Sequence, residues 1–474
     1  MALSRRSVIQ GITIAGAATG LSSCGANSKA SSDEATASAK TTPSLAIPAE
    51  PDGLLLNHAN AVEEMQKASV DLLICTDPVN VRYLTNQRPT GDVLGMDGSA
   101  YATLSSSIDK RPTFISSRIQ NYFDTPKSSV TEQLDFHYVG LPAEPEILAS
   151  LTDPSEIANA PGKTFAMPRV HETHPLSHLE QRRLDQIAGN FTELKASMDS
   201  AVLTEILEAD LPNKTIAIDD PRLRPVIEKS GMDIRIVDGE RLIRRIRMVK
   251  SAAEIEYMRF AATANGYAAR TAARSVREGA NFRDVRQEFA KACAEIGTTA
   301  KFMMLDTHTT ALAEGEIKDG RSFLMDAVST FEEYHGDYGR TVCLGEPNQK
   351  MQQVIDGLSW VWDRIFPELK PGMTYMDIYA LSGKLFAETG VDVGYAVNPH
   401  NVGMHHHDEP NAVDFSISFA KDVGIELKEG MIVSIDMPVL DVGMGGSAHL
   451  EDCVLITKDG PEFINDPSDR FIVV

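Results

Sequence analysis

Four acids stand inside apolar, strand-like runs: Asp326 in RSFLMDAVST, Asp337 in GDYGRTVCL, Asp436 in MIVSIDMPVL and Glu451 in SAHLEDCVLI. An unpaired carboxylate among apolar neighbours is costly to bury. The first two runs flank FEEYH and the last two flank the Gly-rich DVGMGG, so each pair reads as an antiparallel hairpin. With the first turn centred near the start of its loop, Asp326 opposes Asp337; Asp436 and Glu451 are symmetric about the centre of the second segment. Opposed residues on one sheet face have Cβ atoms about 5 Å apart, and like charges placed so need something positive between them. Four converging carboxylates balance two divalent cations, the composition of a dinuclear site with ions about 3.5–4 Å apart.

Histidine supplies the other metal-binding chemistry. NPHNVGMHHHDEP, from Asn398 to Pro410, holds four of the chain's twelve histidines. Three adjacent histidines make a poor cage by themselves, because neighbouring side chains point different ways.

The elements that must position these residues repeat. GANFRDVRQEFAKACAEIG (Gly279 to Gly297) and GMTYMDIYALSGKLFAETG (Gly372 to Gly390) have equal length, open and close on Gly, and carry Asp284 and Asp377 at the sixth position. Each reads as a turn, a helix capped near the Asp, and a glycine C-cap. The catalytic part of the chain is therefore expected to consist of two similar halves, each ending in an acid-bearing hairpin. Ahead of them, Ser251 and Glu254 form a capping box that opens a helix patterned through Val276. The basic run Arg241 to Lys250 reads as a solvated approach to that helix, with no assigned role. Upstream, SVDLLICTDPVNVRYLT opens with a strand-length apolar run and has Asp77-Pro78 as a turn signal. Strand-like runs such as RPTFISS, KTIAIDD and DIRIVDG mixed with helical patterns indicate an α/β domain, its stretch from Ser128 to Pro175 Pro-rich and weakly periodic.

The 474 residues suffice for two or three domains, and the net charge of −22 without a basic face argues against a nucleic-acid partner. The N-terminus, MALSRRSVIQGITIAGAATGLSSCG, has a basic segment before an apolar run too short to span a bilayer comfortably. It resembles a twin-arginine export signal, implying contact with the export machinery and a periplasmic or exported location. Leu21 to Cys24 resembles a lipoprotein box that would anchor the protein through lipidated Cys24; cleavage upstream without lipidation is the alternative. Cys75, Cys293, Cys343 and Cys453 are widely spaced in apolar company and read as buried free thiols. The expected division is a signal over 1–24, a Ser/Ala/Thr-rich tether over 25–48, an N-terminal domain over 49–243 and a catalytic domain over 244–474.

These motifs, in this order, resemble the metallopeptidases that include prolidase, aminopeptidase P and creatinase. TDPVNVRYLT is similar to the start of that family's N-terminal domain; LMDAVSTFEEYHGDYGRTVCLGEP keeps its two Asp, Arg-Thr and Gly-Glu-Pro; HNVGMHHHDEP and SAHLEDCVLITKDGPE parallel its His…His-Glu-x-Pro stretch and closing acidic strand. The resemblance implies an α/β (α+β) fold: a creatinase-type N-terminal domain followed by a pseudo-twofold pita-bread catalytic domain. It implies Asp326, Asp337, His400, Asp436 and Glu451 as metal ligands, with Asp337 and Glu451 bridging. It implies His407 beside the substrate, His308 as a second cleft histidine, and Asp436 as the group that takes a proton from the metal-activated, bridging water. Two divalent ions are expected, manganese first, with cobalt, zinc or iron compatible with the same donors. The implied activity is Xaa-Pro dipeptidase or aminopeptidase chemistry on a peptide substrate, in a homodimer.

This chain departs from the family pattern in having Asp for Glu at 436, His449 where the family has Arg, and His405 and His406 at positions that are not usually His. The last two read as walls of the cleft. The departures concern substrate contacts and leave two alternatives: a creatinase-like C–N hydrolase or β-eliminating lyase acting on a small molecule, and a non-catalytic binding relative.

Overall fold

The computed structural model describes residues 45–96, 98–117, 120–163, 174–189, 194–306, 315–395, 397–409, 424–440 and 443–474. Among them lie a six-stranded and an eight-stranded sheet, both flanked by helices in the mixed α/β fold expected. No described helix is long and apolar enough to cross a membrane.

The six-stranded sheet comprises Leu72–Cys75 (β1), Ala100–Ser105 (β2), Thr113–Ser117 (β3), Asp135–Val139 (β4), Thr215–Ile218 (β5) and Arg235–Asp238 (β6), in the order β4-β3-β2-β1-β5-β6. Strand β1 is buried along its whole length, as its unbroken apolar run requires. Asp77-Pro78 proves to be a helix start rather than a turn. Asp77 caps the helix Pro78–Thr85 (α1) by accepting from the amides of Val79 and Asn80, and Pro78 takes the first turn, where no amide donor is needed.

Helix Gly239–Met248 (α2) leads from β6 into the second sheet. From there two sets of elements repeat in order. The first is Ala252–Ala273 (α3), Phe282–Glu295 (α4), Thr299–Leu305 (β7), Ser322–Phe331 (β8) and Tyr334–Cys343 (β9). The second is Gln349–Ile365 (α5), Tyr375–Thr389 (α6), Asn398–Asn401 (β10), Ile432–Val439 (β11) and Ala448–Thr457 (β12). The repeat seen in sequence is α4 and α6. Both start with capping boxes, Asn281 with Asp284 and Thr374 with Asp377, so the Asp sits three residues inside the helix and the cap is the residue before it. Helix α3 ends at Ala273, short of Val276, behind the Ser251–Glu254 capping box expected for it.

The eight-stranded sheet runs β10-β11-β12-β9-β8-β7, with Gly460–Phe463 (β13) added to β12 and Phe471–Val473 (β14) to β9. Its centre is the antiparallel seam between β9 and β12, which joins the two halves. Helix α3 covers one face. A Cβ at Gly336 would lie 2.3 Å from the Ala261 carbonyl oxygen, and one at Gly266 would touch Tyr338. Residues of opposite parity, among them Asp337 and Gly339, therefore project from the other face.

Candidate metal centre

Strand register brings the four acids together on the face opposite α3. Asp436 opposes Glu451 across β11 and β12, as the sequence symmetry indicates. Asp326 does not oppose Asp337: its partner is Gly339, and Asp337 opposes Val328. The β8–β9 hairpin turns on Glu332 and Glu333, both with positive φ, so its centre lies one residue beyond the position expected. A shift of one residue in the turn centre moves the pairing by two, which keeps Asp326 and Asp337 on the same face as diagonal neighbours. Gly339 opposes both Asp326 on β8 and Glu451 on β12. Asp326, Gly339, Glu451 and Asp436 thus form a row across four strands, with glycine where a fourth side chain would crowd the carboxylates. Two residues further along, Asp337 lies on β9, while on β11 Ser434 opposes His400 of β10.

The side chains converge. His400 Nε2 lies 3.5 Å from Asp337 Oδ2 and 3.8 Å from Glu451 Oε1. Ser434 Oγ donates to Glu451 Oε1 at 2.7 Å. His406 Nε2 is 3.1 Å from Asp337 Oδ2, and His449 Nε2 is 2.5 Å from Asp436 Oδ1. Asp337, Glu451, His400 and His449 are buried, while Asp326, Asp436, His406 and His407 are half-buried. The His407 ring stacks on His400 with centroids 3.7 Å apart.

Such a cluster is electrostatically unbalanced. Burial and the neighbouring Asp337 raise the Asp326 carboxyl to about 7. Burial, with Asp337 and Asp436 beside it, pushes Glu451 well above the usual carboxylate range. Burial would also raise Asp337, but His406 and His400 hold it well below that range. Burial opposes the His406 imidazolium, yet Asp337 lifts it to about 9. Asp326 Oδ1, Asp337 Oδ1 and Glu451 Oε2 are buried with no hydrogen-bond partner. Unpartnered buried carboxylate oxygens facing one another are what a cation would satisfy. Among the described residues three trios have ligand atoms mutually within 4.8 Å: Asp337/His400/Glu451 and Asp436/His449/Glu451, which share Glu451, and His400/His406/His407, which shares His400 with the first. These donors fit a pair of divalent ions. Asp326 adjoins them across Gly339, and His308 lies outside the described residues.

Sequence reasoning left out three contributors. His449 was legible: two residues before Glu451 on an extended strand, it must face the same side. His406 reaches the acids because the chain doubles back, with the Asp408 amide donating to the Asn401 carbonyl at 2.9 Å. The third is the basic run. Arg247 is not solvated but buried, at 1% exposure. Its guanidinium donates to Asn80 Oδ1 at 2.5 Å, His405 Nδ1 at 2.5 Å and Asp408 Oδ1 at 2.8 Å. Arg244 donates to the His407 carbonyl at 3.1 Å, and buried Lys250 hydrogen-bonds Asn401 Oδ1. Burial would raise Asp408, but Arg247 beside it holds its carboxyl well below the usual range. Helix α2 therefore grips the histidine tract from behind and, through Asn80, fastens it to α1 of the first sheet. His405 belongs to this clamp, not to the acid cluster. Beneath the seam, buried Arg340 pairs with Asp452 at 2.7 Å and donates to the Glu451 carbonyl at 2.6 Å, which fixes the strand carrying Glu451.

Residues 256–458 match the family model Peptidase_M24, metallopeptidase family M24. The chain is 26% identical over 246 residues to an Xaa-Pro dipeptidase of Pyrococcus furiosus, covering 49% of this chain and 67% of that protein. It is 28% identical over 244 residues to the probable dipeptidase PepE of Mycobacterium tuberculosis, covering 49% of this chain and 62% of the relative. The fold is similar to the crystal structure of prolidase from Pyrococcus horikoshii, with a TM-score of 0.58 at 18% identity over 86% of this chain and 97% of that one. It is equally similar to dipeptidase PepE from Mycobacterium ulcerans, with a TM-score of 0.59 at 18% identity over 88% of this chain and 96% of that one.

Two outcomes follow from this geometry. The folded, metal-free protein retains protons on Asp326 and Glu451 that an unfolded chain would release near pH 4. Both contributions to stability are present in acid; that of Asp326 is lost as pH rises through about 7, and that of Glu451 is lost in the same direction, above the usual carboxylate range, while added divalent metal displaces the same protons. The metal-induced rise in Tm should therefore be larger near pH 8 than near pH 6, by calorimetry; a rise independent of pH would contradict the assignment. Arg247→Met strands the buried Asp408 carboxylate and should cost about 3–5 kcal/mol in denaturant unfolding, with Arg247→Lys recovering part of the loss. A cost below about 1 kcal/mol would show that the clamp holds nothing in place.

Proposed function

We propose that this metallopeptidase-class enzyme is a dinuclear metal-dependent hydrolase acting on Xaa-Pro dipeptides or on the N-terminal residue of Xaa-Pro peptides. The observation that carries the reading is the pair of ligand trios sharing Glu451. The M24 match and the Xaa-Pro dipeptidase relatives support the substrate class. Asp337, His400, Asp436 and Glu451, with Asp326 alongside, would hold the ions. Bound there, two divalent ions lower the pKa of a water and polarise a carbonyl.

The chain's own groups account for the remainder. Half-buried Asp436 is the carboxylate placed to take a proton from the nucleophile and return it to the departing nitrogen. His407, its ring fixed against His400 and its carbonyl held by Arg244, is placed to donate to oxygen as negative charge develops there. Asp337 and Glu451 are buried whereas His406, His407 and Asp436 are half-buried, so substrate would reach the centre past the latter three.

One observation favours a second reading, in which a small non-peptide substrate is hydrolysed or cleaved at the same centre. Asp436 Oδ1 is engaged by His449, so the carboxylate that would shuttle the proton already has an imidazole partner. We further infer a homodimer, and export directed by the twin-arginine-like N-terminus.

Turnover of Ala-Pro and Gly-Pro by manganese- or cobalt-loaded protein, set against a longer Xaa-Pro-Xaa peptide and a panel of small zwitterions, separates these readings. Xaa-Pro cleavage is expected, with Asp337→Asn lowering kcat by at least a hundredfold (about 2.7 kcal/mol). Cleavage that survives Asp337→Asn would overturn the site assignment, and turnover confined to the zwitterions would select the second reading.

A further inference from the structure

His449 lies inside the acid cluster, and the structure has been shaped to admit it. Its imidazole is 1% exposed. It occupies the space above Gly339, where a Cβ would come within 2.4 Å of His449 Cε1 and 2.5 Å of Nδ1. Any other residue at 339 would collide with the ring and, at 2.8 Å, with Glu451 Cβ. Nδ1 packs on that glycine without a hydrogen-bond partner, which leaves Nε2 as the one atom through which the ring can act. Nε2 points between the two carboxylates of its own hairpin, 2.5 Å from Asp436 Oδ1 and 3.7 Å from Glu451 Oε2. The backbone holds it there from both sides: the Thr341 hydroxyl donates to the His449 carbonyl and accepts from the His449 amide.

The donor atoms of Asp436, His449 and Glu451 are grouped as closely as those of Asp337, His400 and Glu451. Each trio consists of two carboxylates, one of them shared, and a single imidazole. Resting on the dinuclear reading above, we propose that His449 is a metal ligand, so that each ion of the pair receives one imidazole nitrogen rather than one ion receiving carboxylates alone. Imidazole suits zinc, cobalt and nickel, whereas an all-carboxylate position suits manganese or magnesium. The added nitrogen therefore tilts the second position away from manganese and towards the borderline ions. The shorter Asp436 fits the same arrangement, because a ring standing beside it occupies the reach that a longer carboxylate would use.

The competing role for His449 is that of a hydrogen-bond donor that only orients Asp436. His449→Gln separates the two, since a glutamine amide can still donate to Asp436 but is a poor ligand. Demetallated full-length protein and the variant would be titrated with cobalt(II) alone, followed by visible absorption, and then with zinc and manganese by calorimetry. Wild type should bind two ions per chain. In His449→Gln the absorption of one cobalt should change and zinc affinity at that position should fall by more than the roughly 10–100-fold that loss of an orienting outer-shell partner costs, with manganese affinity far less affected, narrowing the zinc-to-manganese preference. Unchanged spectra and an unchanged preference would overturn the proposal while leaving the dinuclear reading intact; wild type that binds no cobalt would remove both. A measurement on wild type guards against a variant that fails to fold. Proton NMR of the dicobalt protein should show hyperfine-shifted N–H signals from at least two ligand imidazoles, and a single such signal would exclude His449.

Discussion

The repulsion among Asp326, Asp337, Asp436 and Glu451 is the constraint on which the rest of this structure depends. Register places four carboxylates on one face of one sheet, two of them fully buried, with Gly339 removing the side chain that would keep their row apart. Nothing about an eight-stranded sheet requires this, and apolar residues at these positions would pack at lower cost. The arrangement is tolerable only with positive charge among the acids. In the protein by itself that charge comes from protons on Asp326 and Glu451 and from the imidazoles of His406 and His449. A cation pair would replace them.

The surrounding structure reads as a set of supports for this one face. Arg340 and Asp452 form a buried pair under the β9–β12 seam, so the strand carrying Glu451 cannot slide. Arg247 and Asp408 form a second buried pair behind the histidine tract. Neither pair lies at the surface, where an ion pair is worth little; both would be strongly destabilising if broken from one side. The second pair has a further consequence. Asn80, which accepts from Arg247, also donates to Asp219 and Glu240. The first sheet is thereby connected to the segment that presents His406 and His407, through one guanidinium and one amide.

Much of this was legible in the sequence, and the exceptions have physical reasons. Acids within apolar runs pointed to the cluster, and the α4/α6 repeat pointed to two halves, because both are local patterns. The register of the first hairpin was misplaced because its turn uses Glu332-Glu333 at positive φ, where Asn or Gly would ordinarily mark the centre. Asp77-Pro78 read as a turn because the same dipeptide serves as a helix cap. Arg247 was invisible as a structural residue because its partner Asp408 is 161 positions away. A basic run on a helix looks solvated until the opposing acid is known. His449 is the instructive case: strand alternation placed it beside Glu451, but only the tertiary structure shows that Gly339 leaves room for its ring.

The most direct test of the central claim, that these carboxylates are held together by a pair of cations, is anomalous diffraction from crystals of cobalt-loaded protein. The account predicts two peaks in the acid cluster, one against Asp337, His400 and Glu451 and the other against Asp436 and Glu451. A cluster without anomalous density, with the carboxylates still paired only to His406 and His449, would contradict it.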